Sequence, residues 1–310
     1  AVKHSTVKVN GVDIHFAEEG DGPLVLFLHG FPEFWYTWRH QLPALAAEGY
    51  RAVAPDLRGY GLSESPPDAS SYSCLHVVGD IVGLINRLGG GGGAFVVAHD
   101  WGAMIAWYLC LFRPDLVKAY VALSVPFRPR NPAAKPVAVL RAVFGDDYYM
   151  CRFQNPKSSK VGSAAVIKSI LSNRSPDPPR LPAENPFGFN DSKLRLPDWL
   201  TEEDLKTYSE NFDRSGFTGG LNYYRALDLN WELTGGLDGA KVTVPVKLIV
   251  GELDMVYNMV GVKEYVHGGG IKRDVPLLED CVVIPNAGHF INQEAPHLIN
   301  SHVLDFIRKF

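Results

Sequence analysis

Long hydrophobic runs and an excess of positive charge are both missing from this chain of 310 residues. No run reaches the roughly 18 consecutive apolar residues that a membrane-spanning helix needs. The first residues, Ala-Val-Lys-His-Ser, also lack the apolar core of a signal peptide. The formal net charge is -4, so the sequence has no basic field to attract nucleic acid. We therefore expect neither a membrane span nor a nucleic-acid partner.

Cysteine is scarce as well. The four cysteines are spread along the chain without the paired spacing of a metal site or of a small disulfide framework. This excludes a disulfide-rich secreted scaffold and fits a reducing compartment, so we expect a cytoplasmic protein. The four residues are Cys74, Cys110, Cys151 and Cys281.

Apolar residues, by contrast, make up 46% of the chain, which is enough for a large core in one or two domains. Short apolar runs typical of buried strands alternate with amphipathic patterns typical of helices, such as residues 75–88. This alternation predicts an α/β fold with helical crossovers and a mostly parallel sheet. Residues 295–310 are predicted to form a closing helix. The predicted strands are 24–28, 51–55, 94–98, 119–124, 246–250 and 281–284.

A long segment of different composition separates the fourth and fifth of these strands. It begins with closely spaced prolines, ends with glycines, and contains short, aromatic-rich helical patterns. We predict a helical cap (lid) domain, residues 127–240, inserted into a core formed by residues 1–126 and 241–310. The glycine run 89–93 precedes a strand instead of following one, so a flexible helix-to-strand connection is expected there and not a phosphate-binding loop.

The segment Phe95-Val-Val-Ala-His-Asp-Trp-Gly-Ala-Met-Ile-Ala106 carries the clearest chemical signal. Its branched apolar run, single acid and following small residues predict a strand, a sharp turn and a helix. Asp100 would stand at the apex of this turn, where hydrolases usually carry a nucleophilic serine.

An aspartate nucleophile suits a different reaction from a serine. A serine oxygen that attacks a saturated carbon leaves an ether, which neutral water does not readily cleave. An aspartate leaves an ester, which an activated water can hydrolyse. Asp100 therefore indicates alkyl transfer followed by hydrolysis, with epoxides and alkyl halides as the first substrate classes to consider.

Two further residues complete a catalytic triad in the order nucleophile, acid, histidine. His289, in Pro285-Asn-Ala-Gly-His-Phe, lies in a loop after the last predicted strand and is the best candidate for the general base. Asp254, in Gly251-Glu-Leu-Asp, follows the preceding strand and would accept the imidazole N–H. Glu252 lies in the same loop and is a rival for this orienting role.

The loop Leu28-His-Gly-Phe-Pro-Glu33 follows a predicted buried strand and would supply part of an oxyanion hole. The backbone N–H groups of Phe31 and Trp101 would together hold the oxyanion that forms when water attacks the ester. Glu33 either positions the hydrolytic water or pairs with a neighbour, and sequence does not separate these roles. His29 and His99 are expected to brace loops through hydrogen bonds and not to act in catalysis.

Several motifs together resemble the soluble epoxide hydrolases of the α/β-hydrolase superfamily, and their single-domain plant type most closely. The resemblance covers nearly the whole chain. It implies an α/β-hydrolase fold with an eight-stranded, mostly parallel sheet flanked by helices, and conversion of epoxides and water to vicinal diols. The motifs are His29-Gly-Phe-Pro-Glu33, Asp56-Leu-Arg-Gly-Tyr-Gly61, His99-Asp-Trp-Gly102, Arg152-Phe-Gln154, Leu221-Asn-Tyr-Tyr-Arg-Ala226 and Asn292-Gln-Glu294.

The same resemblance implies that two cap tyrosines bind and protonate the epoxide oxygen, and the matching positions are Tyr149 and Tyr224. A phenol with an ordinary pKa near 10 stays protonated at neutral pH and can still give a proton to a developing alkoxide. Tyr148 and Tyr223 adjoin these positions, and only one residue of each adjacent pair is expected to face the site.

The predicted mechanism needs neither metal nor organic cofactor: a small-molecule epoxide alkylates Asp100, and water then hydrolyses the ester. Fatty-acid or aryl epoxides are the expected substrates, in an apolar pocket that includes Trp35, Trp101 and Phe127. Two alternatives stay open. A haloalkane dehalogenase shares the aspartate and the following tryptophan, although such enzymes usually place a polar halide-binding residue where Phe31 stands. A hydrolase fold reused as a non-catalytic small-molecule sensor is the other.

Overall fold

The computed structural model describes residues 1–156, 162–185, 187 and 194–310. An eight-stranded sheet forms its centre, and its strands are β1 (Lys3–Val9), β2 (Val12–Glu19), β3 (Leu24–Leu28), β4 (Arg51–Pro55), β5 (Ala94–His99), β6 (Val117–Leu123), β7 (Val246–Gly251) and β8 (Leu278–Ile284). In space the strands follow the order β1-β2-β4-β3-β5-β6-β7-β8. The strands from β4 to β8 in this order pair in parallel, whereas β1, β2 and β4 pair antiparallel.

All six predicted strands are present, with ends that differ by up to three residues. Every residue of β3, β5 and β7 is buried, because helices cover both faces of a parallel sheet and leave no polar side to the strand. The alternation of side chains divides the core in two: Leu26 of β3 packs into the cluster on one face, whereas Val25 and Phe27 pack into the cluster on the other.

Strands β1 and β2 form an antiparallel hairpin at one edge of the sheet and were not predicted from the sequence. Most of β1 is exposed, so it carries no long apolar run. The turn did offer a signal. Asn10 and Gly11 both have positive φ, 49° and 79°, and Asn-Gly between alternating apolar residues is typical of a two-residue hairpin turn.

Helices lie on both faces of the sheet and in the long segment between β6 and β7. The predicted helix at residues 75–88 corresponds to α2, the closing helix to α13, and the glycine run 89–93 joins α2 to β5, as expected. Among the described residues, every helix is too short or too polar to span a bilayer. The helices are α1 (Gln41–Ala47), α2 (Cys74–Leu88), α3 (Trp101–Phe112), α4 (Pro136–Phe144), α5 (Tyr149–Arg152), α6 (Ser163–Leu171), α7 (Glu202–Ser215), α8 (Thr218–Arg225), α9 (Leu227–Leu233), α10 (Val262–His267), α11 (Gly270–Asp274), α12 (Ile291–Glu294) and α13 (Pro296–Ile307).

The segment between β6 and β7 contains helices α4 to α9 and is fastened to the sheet region by polar contacts. Asp204 of α7 accepts a hydrogen bond from the Tyr36 hydroxyl at 3.0 Å and pairs with Arg39 at 3.2 Å. The Tyr223 hydroxyl of α8 donates to the Arg58 carbonyl at 2.8 Å. These contacts hold α7 and α8 against the loops that follow β3 and β4. The cap boundaries at residues 127 and 240 stay a prediction.

Candidate active site

The turn between β5 and α3 places Asp100 in a backbone conformation that residues other than glycine rarely adopt. Its φ is 54° and its ψ is -123°, so the turn is strained. Two glycines let the neighbouring chain come close: a Cβ on Gly102 would lie 2.2 Å from the Leu28 carbonyl oxygen, and one on Gly30 would lie 2.2 Å from the Asp100 Cβ. The apex of the turn therefore lies directly beside the loop that follows β3.

The two carboxylate oxygens of Asp100 have different partners. Oδ1 accepts a hydrogen bond from the backbone N–H of Phe31 at 2.9 Å, whereas Oδ2 lies 3.0 Å from Nε2 of His289. The N–H of Trp101 opens helix α3, where the first N–H groups have no partner within the helix. The structure thus brings Phe31 and His289 to a single carboxylate, beside the first N–H of α3.

Asp254 holds the other side of the His289 ring. Both Asp254 carboxylate oxygens lie 2.9 Å from Nδ1 of His289, and the Val256 N–H donates to the same carboxylate at 2.8 Å. The rival residue Glu252 faces elsewhere and accepts from the Asn286 N–H at 2.7 Å. Asp254 is completely buried, so the charge it presents to the imidazole is little screened.

These contacts shift the pKa values of His289 and Asp100. Burial alone would lower the pKa of His289, but the charge of Asp254 and the hydrogen bonds to Asp100 and Asp254 raise it well above its ordinary value. Burial would raise the pKa of Asp100, but the hydrogen bond and charge of His289 outweigh burial and hold it below its ordinary value. Both shifts favour an ion pair between the Asp100 carboxylate and the His289 imidazolium.

The backbone carbonyl of His289 is fixed by two side chains from neighbouring strand ends. Ser124 Oγ donates to it at 2.8 Å, and Nε2 of His99 lies 2.7 Å from it. Ser124 has a φ of 70° and was not predicted as a site residue; its position as the last residue of the predicted strand 119–124 was the only signal. The ring of His99 thus braces the His289 loop.

Glu33 and His29 lie behind the site. The Glu33 carboxylate is completely buried and interacts with Thr37, Gln293 and His99 at 2.6, 3.0 and 3.1 Å. Of the two roles that the sequence left open for Glu33, these contacts support pairing with neighbouring side chains. His29 accepts from the Leu57 N–H at Nε2, 3.0 Å, and donates from Nδ1 to the Gly30 carbonyl, 2.9 Å, so it braces the loop as a neutral ring.

Tyr149 and Tyr224 lie together above Asp100, with ring centroids 6.0 Å apart. Burial raises the pKa of both phenols well above the ordinary value, and the Asp100 charge adds to this rise, so both stay protonated. Their sequence neighbours are engaged elsewhere: Tyr148 stacks on Phe144 at 4.5 Å, and the Tyr223 hydroxyl binds a backbone carbonyl.

Two cavities of about 370 and 350 Å³ share Asp100, Tyr149 and Tyr224 in their walls. We call the first the polar arm, because polar and charged residues lie among the aromatic and aliphatic residues that line it, including Ser169, Ser172, Asn173, Arg174 and Arg180. We call the second the apolar arm, because its lining includes Met104, Trp107, Phe127, Leu140 and Trp231.

One predicted pocket residue lies elsewhere. Trp101 and Phe127 line the apolar arm, but Trp35 lines neither arm as far as the described residues show. Its ring packs edge-on against His4 at 4.9 Å and its backbone N–H donates to Asp56 at 2.9 Å. The prediction for Trp35 is therefore wrong, because the short helix Trp35–Trp38 directs this ring toward the β1–β2 hairpin and not toward Asp100.

Comparisons with known proteins agree with this geometry. A sequence profile described as the alpha/beta hydrolase fold matches residues 23–296. "Epoxide hydrolase 3" from Siraitia grosvenorii is 55% identical to this chain, and the match covers 100% of this chain and 99% of that protein. An epoxide hydrolase from Vigna radiata has a similar structure, with a TM-score of 0.96 at 57% identity over 100% of this chain and 98% of that one. A variant of potato epoxide hydrolase gives a TM-score of 0.96 at 52% identity over 100% of both chains.

The replacement Asp254→Asn should lower the pKa of His289, because it removes the largest charge that stabilises the imidazolium. An opposite charge at this distance typically contributes about 1 to 3 pH units. The imidazole resonances of selectively ¹⁵N-labelled protein, followed by NMR against pH, report this value. Glu252→Gln is the matched control and should leave the His289 titration in place; equal effects of the two replacements would contradict the assignment.

Proposed function

The chain belongs to the α/β-hydrolase family and, within it, to the epoxide hydrolases, and from this premise we propose which residues convert an epoxide and water into a vicinal diol. Membership decides against the haloalkane dehalogenase and the non-catalytic sensor that the sequence left open. The observation that carries the assignment is the unequal environment of the two Asp100 oxygens: a backbone N–H holds Oδ1, and the imidazolium faces Oδ2.

In the first half-reaction, Oδ2 of Asp100 attacks one epoxide carbon while Oδ1 stays on the Phe31 N–H as the future ester carbonyl oxygen. The C–O bond of the ring breaks, and its electron pair moves to the epoxide oxygen. Tyr149 and Tyr224 hold this oxygen and supply the proton that turns it into a hydroxyl group. The imidazolium of His289 then returns a proton to the phenol and becomes neutral.

Ester formation itself prepares the second half-reaction. It removes the negative charge of Asp100, which is one of the groups that raise the pKa of His289, so the imidazole gives up its proton more readily and can act as a base. His289, held by Asp254, takes a proton from water, and the resulting hydroxide attacks Cγ of Asp100. The oxyanion at Oδ1 is held by the N–H groups of Phe31 and Trp101.

Collapse of this tetrahedral species breaks the bond between Cγ and Oδ2. Oδ2 leaves with the diol, which takes the remaining proton of the attacking water. The carboxylate of Asp100 and the imidazolium of His289 are thereby restored, and one oxygen of Asp100 now comes from solvent. The cycle balances with epoxide and water as the only reactants.

Fatty-acid or aryl epoxides are the substrates that the two arms favour. An epoxide held between Asp100 and the two tyrosines can extend one substituent into each arm, and aromatic and aliphatic side chains line the apolar arm. We assign the roof of the site to a cap of residues 127–240, because Tyr149 and Tyr224 come from α5 and α8. A reducing, cytoplasmic location fits the four cysteines, all of which are free thiols.

The variant His289→Gln should still form the ester but stall there, because no base remains to activate water. Rapid mixing with a slight excess of styrene oxide, acid quenching and peptide mass spectrometry should find substrate mass on the peptide that contains Asp100. The same experiment with Asp100→Ala should find no adduct. Substrate mass on any other peptide, or none in the His289→Gln variant, would reject Asp100 as nucleophile.

Replacing either predicted acid, Tyr149→Phe or Tyr224→Phe, should slow alkylation by about 100-fold, the typical loss on removing one donor from a developing oxyanion. Stopped-flow fluorescence is a suitable readout, since Trp101 lies 5.2 Å from Tyr224, ring to ring. Tyr223→Phe removes the neighbouring hydroxyl outside the cavities and should leave the alkylation rate near that of the wild type. A larger loss in Tyr223→Phe than in Tyr224→Phe would overturn the choice within this pair.

A further inference from the structure

Within the described part of the chain, four arginines line the two arms, and they differ in their partners. In the polar arm, Arg174 pairs with Glu294 and Arg180 pairs with Asp147 at 2.6 Å. In the apolar arm, Arg130 pairs with Asp238 at 2.7 Å, and its guanidinium also lies over the Trp231 ring at 4.2 Å. Each of these three charges is already neutralised by a carboxylate or held in a structural contact.

Arg128 is different. Its guanidinium donates to the thioether sulfur of Met259 at 3.1 Å, and a thioether is a weak, uncharged acceptor. No carboxylate of the described residues lies within ion-pair distance of it. Arg128 is exposed, so its charge stays hydrated while the arm is empty. It therefore presents a cation without a carboxylate partner in the lining of the apolar arm.

The position of Arg128 connects it to the reacting groups. It follows Phe127, which is buried and lines the apolar arm together with Tyr149 and Asp100. Burial raises the pKa of Tyr149, and the charge of Arg128 is close enough to oppose that rise. The lining of one cavity thus combines the aspartate nucleophile, aromatic and aliphatic side chains, and an arginine without a carboxylate partner.

We propose that Arg128 is a specificity-determining residue that binds the carboxylate of a long-chain epoxide whose hydrocarbon segment fills the apolar arm. This inference rests on the proposed function and adds an orientation to it. The carboxylate end of the substrate points to Arg128, and the other end enters the polar arm, whose two arginines are already paired. A fixed orientation also fixes which epoxide carbon meets Oδ2 of Asp100.

The test compares wild type, Arg128→Gln and Arg180→Gln on three substrates: a mid-chain epoxystearate below its micelle concentration, its methyl ester, and styrene oxide. Wild type should prefer the acid to the ester. Arg128→Gln should lower kcat/KM for the acid by about 3- to 10-fold, mainly through KM, the range expected for a partly exposed charged hydrogen bond. The ester and styrene oxide should be unaffected, and Arg128→Lys should restore part of the preference.

Arg180→Gln is the matched control, because it removes an arginine of the polar arm. It should leave the ratio of acid to ester unchanged. An unchanged ratio in Arg128→Gln, or a ratio that falls in Arg180→Gln instead, would overturn the proposed orientation. Styrene oxide separates this failure from failure of the proposed function, since it carries no charge: wild-type turnover with an Asp100 adduct supports the chemistry whatever the acid-to-ester ratio shows.

Discussion

The ion pair between the Asp100 carboxylate and the His289 imidazolium is the interaction on which the rest of the site depends. Both groups are buried, and charges taken out of water are costly unless they are paired and hydrogen-bonded. The structure meets this requirement from both sides, with the Phe31 N–H on Asp100 and the Asp254 carboxylate on His289. Removing one partner of such a pair typically costs about 3–5 kcal/mol, because the other charge stays buried without compensation.

The same pair separates the two half-reactions. In the proposed mechanism, the charge of Asp100 adds to that of Asp254 and favours the imidazolium of His289 before a substrate has reacted. Alkylation removes the Asp100 charge and leaves His289 with Asp254 alone. In the proposed mechanism, this loss of charge favours release of the His289 proton at the step that requires a base. The Phe31 N–H donates to the Asp100 carboxylate in the structure and, in the proposed mechanism, to the oxyanion in the second half-reaction.

Residues that directly follow strands were predictable from sequence, and residues placed by tertiary packing were not. Asp100, Asp254 and His289 follow β5, β7 and β8, and neighbouring parallel strands bring their carboxyl ends to one edge of the sheet. The parallel strands were found because burial on both faces makes them apolar. The β1–β2 hairpin was not predicted because its strands lack long apolar runs, although its Asn-Gly turn was visible in the sequence.

The residues that line the two cavities could not be predicted from the sequence, for a physical reason. Which arm an aromatic side chain lines depends on the direction of its ring, and composition near a motif does not encode that direction: Trp101 faces the apolar arm, whereas Trp35 packs on the β1–β2 hairpin. Ser124 illustrates the same point, since its contact with the His289 carbonyl joins residues 165 positions apart. The unneutralised charge of Arg128 was likewise visible only once the partners of all four arginines were known.

A single turnover in H₂¹⁸O, with enzyme in excess over styrene oxide, tests the covalent ester on Asp100 most directly. Because water attacks Cγ of Asp100 and not the substrate carbon, the first-turnover diol should contain no heavy oxygen, and the label should appear in the carboxylate of the Asp100 peptide. Heavy oxygen in the diol of that first turnover, with an unlabelled Asp100 peptide, would contradict the account.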